Sequence, residues 1–446
     1  MTGPPELSVL LPVLNERDNV VELLPRLGRI LSGLGCTYEV LVVDGGSRDG
    51  TADAARGLGA RVMVQQEPGY GGALREGFAA VTGAYVLTLD ADLSHDPNFI
   101  VKLWRARTTA DVVIASRYVR GGVAYMPLHR ALLSRTLNRF FAYGLSLPLR
   151  DLSSGFRLYR ARALAGLDLT GRNFEILEEV LVKAYVAGWR VVEIPFTYYP
   201  RDRGSSHARV FRFGLDLLHA FARLWGRRYS ADAADADERS FYSPLPLRRH
   251  QERRRHQLVT AMARGAGRTL HVGCGSSVIL QSLNDAIGLD VQANPLRYMR
   301  RYGTPLVRAA LAALPVRTGV FDCVVCTHAI PALPPSHALV TELARVLRPG
   351  GLLILGLPGA RRASGLGGDP SAVAGGLLPA LGDAAREFEV IDAGAVMAQE
   401  IIFALRKTEA GGGVDRARVP SEAQLASPMP KTAPSSGRGA ARRRAS

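Results

Sequence analysis

The amino-acid sequence predicts an α/β protein with two domains. Short runs of branched apolar residues alternate with segments of helical periodicity over the first part of the chain, and the alternation begins again at Thr269. The chain has 446 residues, which is long for a single hydrophobic core. Since 47% of the residues are hydrophobic, most of the chain can bury enough apolar surface to fold.

Five apolar runs near the start are predicted strands of a parallel sheet. They lack the polar alternation of a sheet with one wet face, so helices should cover both faces. Helices are predicted to begin near Asp18, Thr51, Gly72 and Asn98. Three of the strands lead into an acid or a Pro-Asn-Glu loop, and open α/β sheets bind ligands at the carboxyl ends of their strands. The runs are LSVLLP (7–12), YEVLVVD (38–44), RVMVQ (61–65), AYVLTLD (84–90) and DVVIAS (111–116).

Composition predicts how the rest of the chain is divided. Residues 229–256 turn acidic, then Pro-rich, then basic, which is typical of a linker. We therefore predict a first domain over residues 1–228 and a second domain over residues 257–406. Residues 407–446 are rich in Gly, Ala, Pro, Ser and Arg, which predicts a disordered basic tail.

The net charge of +16 favours anionic partners: nucleic acid, anionic lipid head groups or phosphorylated substrates. The tail lacks interleaved aromatics and a reader motif, so specific nucleic-acid binding is not expected. Four scattered cysteines favour a reducing compartment. The sequence shows neither a basic leader before an apolar stretch nor a run of about 20 apolar residues. We therefore expect a cytoplasmic protein that contacts the inner face of the cell membrane only peripherally.

Cys323 and Cys326 form a CxxC pair inside the apolar run FDCVVCTH. A strand would point the two thiols to opposite faces. Zinc would also need a second ligand pair, which the sequence does not supply. Packing in the core is the predicted role of both cysteines.

The central chemical feature is the segment LTLDADLSHDP, where Asp90 and Asp92 follow a predicted strand. Two carboxylates at this spacing can share one divalent cation while a nucleotide diphosphate supplies other oxygen ligands. Acid pairs at strand ends are also often solvated turn residues. The pair alone therefore does not decide between the two interpretations.

Seven motifs in a fixed order resemble the dolichyl-phosphate mannosyltransferase branch of family 2 glycosyltransferases over about residues 6–225. The resemblance implies a GT-A (nucleotide-diphospho-sugar transferase) fold and an inverting, metal-dependent hexosyltransferase. The expected donor is GDP-mannose, and the expected acceptor is dolichyl or polyprenyl phosphate. The motifs are LLPVLNERDN, VVDGGSRDGT, GYGGALREGF, DADLSHDP, IASRYVRGG, DLSSGFRLYR and PRDRGSSH.

The same resemblance implies site residues, position by position. Asp90 and Asp92 would hold Mg²⁺ or Mn²⁺ on the diphosphate, and Asp92 is also a predicted catalytic residue. Arg117 and Arg201 are the other two predicted catalytic residues. They would face phosphate groups, because the planar guanidinium forms paired, permanently charged hydrogen bonds to phosphate. The residues implied around the nucleoside are Pro12, Asn15, Glu16 and Asp44, and those implied at the acceptor phosphate are Arg130 and Ser134.

Three positions depart from the family pattern. Gly45 replaces the usual second acid of the DDGS motif, Ser94 replaces the Gln that often follows DAD, and His207 replaces the final Lys of RxxGxSK. Ser94 can still offer an oxygen to a cation, directly or through water. Gly45 and His207 bear on the identity of the donor more than on the fold.

The segment RVFRFGLDLLHAFARLWGRR has apolar residues at helical spacing, with arginines close by. Such a helix can lie in a membrane interface, or it can pack on its own domain. The sequence leaves both interpretations open, and a membrane-anchor protein is a further possible partner. The apolar residues are Leu217, Leu218, Phe221, Leu224 and Trp225.

A second glycine-rich turn occurs in RTLHVGCGSS, and Asp290 ends the next predicted strand. This spacing suits a nucleoside cofactor, since glycines let the backbone approach it and an acid binds ribose hydroxyls. With LPVRTGVFDCVVCTHAI and ELARVLRPGGLLIL, residues 255–406 resemble class I S-adenosylmethionine-dependent methyltransferases with a Rossmann-like fold. The resemblance implies cofactor contacts at Gly273, Gly275 and Asp290. His271 stands where that family usually has an acid, so either an active or a degenerate domain is possible.

Two rival functions follow from the same residues. One is a UDP-sugar transferase acting on polyprenyl phosphate or on a surface glycan. The other makes the methyltransferase the working part, with the first domain as its targeting module. Donor competition separates the first rival from a mannosyltransferase, and labelled methyl transfer that survives loss of Asp90 and Asp92 would support the second.

Overall fold

The chain forms two compact units, Met1–Ala233 and Ala234–Ser446. Each unit contains its own mainly parallel sheet with helices, so the predicted α/β class is confirmed in both. The computed structural model describes residues 3–199, 210–327, 337–358, 387–396 and 400–408. For residues 210–218, His337 and Pro358 it describes the backbone but not the side chains. Most of the predicted basic tail, from residue 409 onward, lies outside the described residues.

Over its described residues, the first unit is built on a seven-stranded sheet in the order β3-β2-β1-β4-β7-β5-β8. All five predicted strands are present. A short parallel pair, β6 and β9, accompanies the main sheet. The strands are β1 (Leu7–Val13), β2 (Tyr38–Asp44), β3 (Arg61–Val64), β4 (Tyr85–Thr88), β5 (Val112–Ser116), β6 (Val123–Ala124), β7 (Arg157–Arg160), β8 (Val191–Pro195) and β9 (Thr197–Tyr198).

The order of the strands creates a crevice beside β1. Strands β2 and β3 extend the sheet on one side of β1, and β4 pairs with β1 on the other side, all of them parallel. Strand β7 is antiparallel to both β4 and β5. The direction in which strands are added therefore reverses between β1 and β4, and such a switch point is where open α/β sheets bind ligands.

Helices cover the sheet as the unbroken apolar strands predict. Val9 and Leu11 of β1 are fully buried in one core cluster with Leu27 of α1 and Val113 of β5. The helices of this unit are α1 (Arg17–Ser32), α2 (Thr51–Gly57), α3 (Tyr70–Ala80), α4 (Ile100–Ala106), α5 (Leu128–Gly144), α6 (Ala161–Leu164), α7 (Ile176–Val186) and α8 (Val210–Arg228).

Helix α8 packs on its own unit over the part whose side chains are described. Ala220 and Leu224 are buried. The ring of Phe221 lies 4.8 Å from that of Phe140 and 5.3 Å from that of Phe141, centre to centre. Of the two interpretations of this segment, internal packing is therefore the observed one for these residues.

The side chains of Leu217 and Leu218 lie outside the described residues. Within the described parts of the chain, the structure contains no helix long and apolar enough to cross a membrane.

Over its described residues, the second unit has a seven-stranded sheet in the order β12-β11-β10-β13-β14-β16-β15. Strands β10 to β14 pair in parallel, whereas β16 is antiparallel to both of its neighbours. The strand order reverses at β10, which again places a crevice at the carboxyl end of that strand. The strands are β10 (Thr269–Val272), β11 (Ala286–Asp290), β12 (Leu306–Arg308), β13 (Phe321–Cys326), β14 (Leu347–Pro358), β15 (Phe388–Val396) and β16 (Glu400–Lys407).

Helices occupy much of the predicted linker. Composition predicts a linker over 229–256, but α9 and the first part of α10 lie within this range. Helix α10 is highly charged, yet Leu258 and Val259 near its end are buried in a core cluster, and Arg255 pairs with the buried Glu400 of β16 at 2.6 Å. A few buried apolar residues and ion pairs thus hold this helix in place. The average composition of the segment does not indicate a helix. The helices of this unit are α9 (Ala236–Phe241), α10 (Pro246–Met262), α11 (Ile279–Ser282), α12 (Ala293–Met299) and α13 (His337–Val346).

The two cysteines of the CxxC pair lie in β13, and both are fully buried. Cys326 belongs to one core cluster of the second unit and Cys323 to another. The prediction that they pack in the core is therefore confirmed.

Candidate active site

A cavity of about 400 Å³ opens at the carboxyl ends of the central strands of the first unit. Pro12 and Val13 reach it from the end of β1, Gly45 follows β2, and Asp90 and Asp92 follow β4. It lies at the switch point of the sheet, and the sequence predicts a site at the carboxyl ends of these strands. The complete lining is Pro12, Val13, Leu14, Glu16, Gly45, Gln65, Pro68, Gly69, Tyr70, Ala73, Asp90, Ala91, Asp92 and Phe174.

Asp90 is held from two sides. The hydroxyl of Tyr70 donates to its Oδ1 at 3.0 Å, and its own backbone N–H donates to Nδ1 of His95 at 3.2 Å. Burial lowers the pKa of His95, which favours the neutral imidazole that this acceptor role requires. Burial and the nearby Asp90 raise the pKa of Tyr70, so the phenol stays protonated and can donate. Tyr70 thus holds the carboxylate of Asp90, and His95 holds its backbone.

Close backbone packing brings Tyr70 to the cavity. Gly69 has a φ of +99°, and a Cβ there would collide with the carbonyl oxygen of Arg172. The amide of Gly71 donates to that same carbonyl at 2.9 Å. The contact sets the ring of Phe174 against the ring of Tyr70, with centroids 4.6 Å apart. Glycines at the start of α3 therefore join this helix to the segment before α7.

Asp92 is ordered by its own loop. The backbone N–H and the hydroxyl of Ser94 both donate to Asp92 Oδ1, at 3.1 and 2.5 Å. Leu93 between them adopts a φ of +60°, an uncommon conformation for a side chain of this kind. Ser94 is one of the positions that depart from the family pattern, and here its hydroxyl fixes the second aspartate.

The chemistry of these donors fits a divalent cation shared with a bound diphosphate. Carboxylate oxygens are ligands that Mg²⁺ and Mn²⁺ favour, and both aspartates line one cavity. The described residues contain no group of three or more His, Cys, Asp or Glu side chains that could hold a metal by themselves. Two carboxylates do not fill the six positions around such a cation, and the sequence predicts that a nucleotide diphosphate supplies other oxygens.

Two of the predicted nucleoside residues, Pro12 and Glu16, line the cavity. The other two hold the loop after β2. Asn15 Oδ1 accepts from the amide of residue 48 at 2.9 Å, and Asp44 accepts from the amide and hydroxyl of Ser47. Because this loop begins at the cavity wall, Asn15 and Asp44 shape the site through the backbone that they support.

Arg117 is bound to a carboxylate of its own unit. Its Nε donates to Asp151 at 2.8 Å, and its Nη2 donates to Asp151 at 2.7 Å and to Ser153 at 2.8 Å. Burial lowers the pKa of Arg117, but the attraction of fully buried Asp151 outweighs this and raises it. The observed role of Arg117 is therefore to hold the end of β5 against residues 151–153. The phosphate contact drawn from the motif would need this same guanidinium and stays a prediction.

The predicted acceptor residues lie on α5, outside the cavity lining. Arg130 is exposed, and Ser134 accepts a hydrogen bond from Tyr118 at 2.7 Å. The structure does not bring them together with the aspartate pair around one cavity. Arg201 and His207 lie outside the described residues, so their roles stay predictions.

Sequence reasoning missed three side chains that organise the site. Tyr70 and His95 lie within motifs and Phe174 lies between two of them, but only their contacts with Asp90 and with each other reveal their part. The available signal was weak: an aromatic residue between glycines in GYGGALREGF, and a histidine three residues after the aspartate pair.

The three predicted cofactor residues of the second unit meet at one turn. Gly273 and Gly275 adopt φ values of +65° and +48° after β10. The amide of Gly275 donates to Asp290 Oδ2 at 2.8 Å, and the amide of Gln292 donates to Asp290 Oδ1 at 2.8 Å. His271, in the place of the usual acid, is fully buried in β10. The turn therefore combines two left-handed glycines with the acid at the end of the next strand, and their contact with a cofactor stays a prediction.

Comparison with known proteins identifies both units. Residues 8–167 match the family model described as Glycosyl transferase family 2, and residues 270–355 match one described as Methyltransferase domain. An uncharacterized glycosyltransferase of Mycobacterium tuberculosis is 35% identical over 208 residues, which are 45% of this chain and 88% of that protein. The chain belongs to glycosyl transferase family 2, and it carries a methyltransferase domain as well.

Two further similarities cover a smaller share of the other protein. Dolichol-phosphate mannosyltransferase of Pyrococcus furiosus is 37% identical over 212 residues, but the match spans 45% of this chain and only 58% of that protein. A solved structure of glucosyl-3-phosphoglycerate synthase from Mycobacterium tuberculosis, in complex with Mn²⁺, UDP and glucosyl-3-phosphoglycerate, is 21% identical. It covers 50% of this chain and 80% of its own, with a TM-score of 0.40.

The buried Glu178 of α7 should make the stability of the first unit depend on pH. Burial raises the pKa of this carboxyl to about 7 from 4.5. The unfolded chain therefore releases this proton at lower pH than the folded chain, so the stability that Glu178 contributes is greatest below about pH 4.5 and is lost as the pH rises to about 7. The loss due to this group is about 3 kcal/mol, and Glu178→Gln should remove it.

Urea unfolding between pH 4 and pH 8, followed by tryptophan fluorescence, measures this effect. All three tryptophans, Trp104, Trp189 and Trp225, belong to the first unit. Glu22→Gln, which removes an exposed carboxyl from α1, is the control. Equal pH profiles for wild type and Glu178→Gln would contradict the prediction.

Proposed function

We propose that the first unit transfers a hexose, mannose from GDP-mannose, to the phosphate of a polyprenyl or dolichyl phosphate at a membrane surface. The observation that carries the proposal is the shared cavity of Asp90 and Asp92 at the switch point of the sheet. The family membership supports glycosyl transfer. The similarity to a dolichol-phosphate mannosyltransferase supports the choice of donor and acceptor.

The cavity suits the donor half of this reaction. A divalent cation, when bound, would neutralise charge that develops on the leaving diphosphate. Asp90 and Asp92 would hold it, with Asp90 fixed by Tyr70 and Asp92 fixed by Ser94. Because these hydrogen bonds lie within the protein itself, the carboxylates need little rearrangement on binding.

The acceptor half needs no strong base. A phosphate monoester has a second pKa near 6, so it is largely dianionic at neutral pH and is itself the nucleophile. Its oxygen attacks the anomeric carbon as the bond to the nucleoside diphosphate breaks, which inverts the configuration at that carbon. The residues must therefore orient two anions, and the step needs no catalytic base.

Helix α5 offers a surface for the lipid. Apolar and basic side chains are exposed together along it, and the helix contains no Asp or Glu. An apolar surface with cations beside it is suited to the boundary between acyl chains and anionic head groups. We therefore assign the proposed membrane contact to α5, whereas sequence analysis considered α8. The exposed side chains are Leu128 (84%), Leu132 (65%), Tyr143 (87%), Arg130, Arg135 and Arg139.

Mannosyl transfer with the variant Asp92→Asn tests the function. Wild type should form lipid-linked mannose from radiolabelled GDP-mannose and polyprenyl phosphate in the presence of Mn²⁺. The variant keeps the size of the side chain but loses its charge, so its kcat should fall about a hundredfold. Asp53→Asn, an exposed acid on α2 with 87% of its side chain accessible, is the matched control.

Each result bears on a different part of the proposal. Undiminished transfer by Asp92→Asn would contradict the proposed site. Transfer from a UDP-sugar but not from GDP-mannose would contradict the donor and favour the rival enzyme. Methyl transfer as the chain's only activity, unaffected by loss of Asp90 and Asp92, would contradict the function as a whole.

Vesicle co-sedimentation tests the lipid surface. The double variant Leu128→Asp/Leu132→Asp adds two charges to the exposed apolar surface of α5, so binding to vesicles of phosphatidylcholine and phosphatidylglycerol should weaken about tenfold or more. Leu245→Asp/Leu247→Asp adds the same charge at leucines of the second unit that are 62 and 61% exposed. Equal loss of binding in both variants, or none in the α5 variant, would contradict the assignment.

A further inference from the structure

The glycine-rich turn of the second unit already has a carboxylate bound to it. Asp237, in the first turn of α9, accepts from the backbone N–H of Ser276 at 2.9 Å and from its hydroxyl at 3.3 Å. The amide of Asp237 in turn donates to the hydroxyl of Ser276 at 3.1 Å. These reciprocal hydrogen bonds join α9 to the turn across 39 residues of sequence.

Asp237 also fills the space that glycine leaves open. A Cβ at Gly275 would collide with Oδ2 of Asp237. Glycines in such turns permit a bound nucleoside to approach the backbone closely. Here the close approach is made by a side chain of the same unit.

Four consecutive backbone amides of the turn, at residues 274–277, each donate to an acceptor within the protein. Two of these acceptors are carboxylates, Asp290 and Asp237. A cofactor at this turn would have to displace an existing charged acceptor. The hydrogen bonds run from Cys274 to the carbonyl of Leu289 at 3.1 Å, from Gly275 to Asp290 at 2.8 Å, from Ser276 to Asp237 at 2.9 Å and from Ser277 to the carbonyl of Cys274 at 3.0 Å.

A second contact holds α9 in the same place. Both oxygens of Glu238 accept from the hydroxyl of Tyr302, at 2.8 and 2.9 Å, and Tyr302 follows α12. Adjacent acids of α9 thus bind the turn that follows β10 and a residue that follows α12. Of the two, the turn after β10 lies at the carboxyl end of a strand, which faces the ligand in a nucleoside-binding fold.

We propose that Asp237 is an internal ligand of the glycine-rich turn and excludes S-adenosylmethionine from the second unit. The carboxylate occupies the turn, and its negative charge adds repulsion toward any anionic group that a ligand brings there. The methyltransferase domain therefore does not bind its usual cofactor while Asp237 of α9 is bound to the turn. This inference concerns the second unit and is independent of the proposed glycosyl transfer.

Calorimetric titration of the full chain with S-adenosylhomocysteine tests the exclusion. Asp237→Ala removes the carboxylate, so it should bind this probe about tenfold or more tightly than wild type. Glu389→Ala, which removes an exposed acid from β15, should bind no better than wild type. Thermal unfolding checks that each variant is folded, and Asp237→Ser replaces Asp237→Ala if that variant unfolds.

Three outcomes would overturn the proposal. Wild type could bind as tightly as Asp237→Ala, which would mean that the carboxylate does not exclude the cofactor. Wild type could bind and Asp237→Ala lose binding, which would make Asp237 a cofactor ligand. Failure of both folded proteins to bind would mean that other residues, such as His271, close the site.

Discussion

The proposed chemistry of the first unit depends on how the loop after β4 holds its two carboxylates. Like charges close together repel, so a pair of aspartates at a strand end must be ordered by other groups. Tyr70 and His95 order Asp90, and Ser94 orders Asp92. These contacts come from α3 and from the loop itself, and glycine packing before α7 brings α3 into place. The site is therefore a product of the surrounding fold as much as of the aspartates.

A second network holds the neighbouring wall of this unit. Arg117 binds Asp151, whose amide donates to Glu193 of β8 at 2.8 Å. Asn138 of α5 donates to Ser153 at 2.9 Å and so joins the proposed lipid-contacting helix to the same segment. Removing one member would leave the opposite charge buried without its partner, which is costly. The arginine of the SRY motif thus links β5, β8 and α5, whatever anions bind nearby.

Sequence patterns were most informative where one rule dominated the local structure. Unbroken branched runs such as LSVLLP predicted the parallel strands, because a strand buried on both faces has no polar alternation. Motif order predicted the aspartate pair that lines the cavity. Sequence patterns did not predict hydrogen bonds of charged side chains to residues far away in the sequence. Nothing local relates Arg117 to Asp151, 34 residues later, or Asp237 to Ser276. The charged helix α10 was missed because average composition hides its few apolar anchors, such as Leu258.

The central claim is that the cavity beside β1 and β4 binds a nucleoside diphosphate through a cation held by Asp90 and Asp92. Calorimetric titration of the full chain with GDP, in Mn²⁺ and again in excess EDTA, tests it most directly, since neither lipid nor turnover is needed. We predict binding in Mn²⁺ that weakens about tenfold or more in EDTA. Equal affinity under the two conditions, or no binding of GDP or UDP in either, would contradict it.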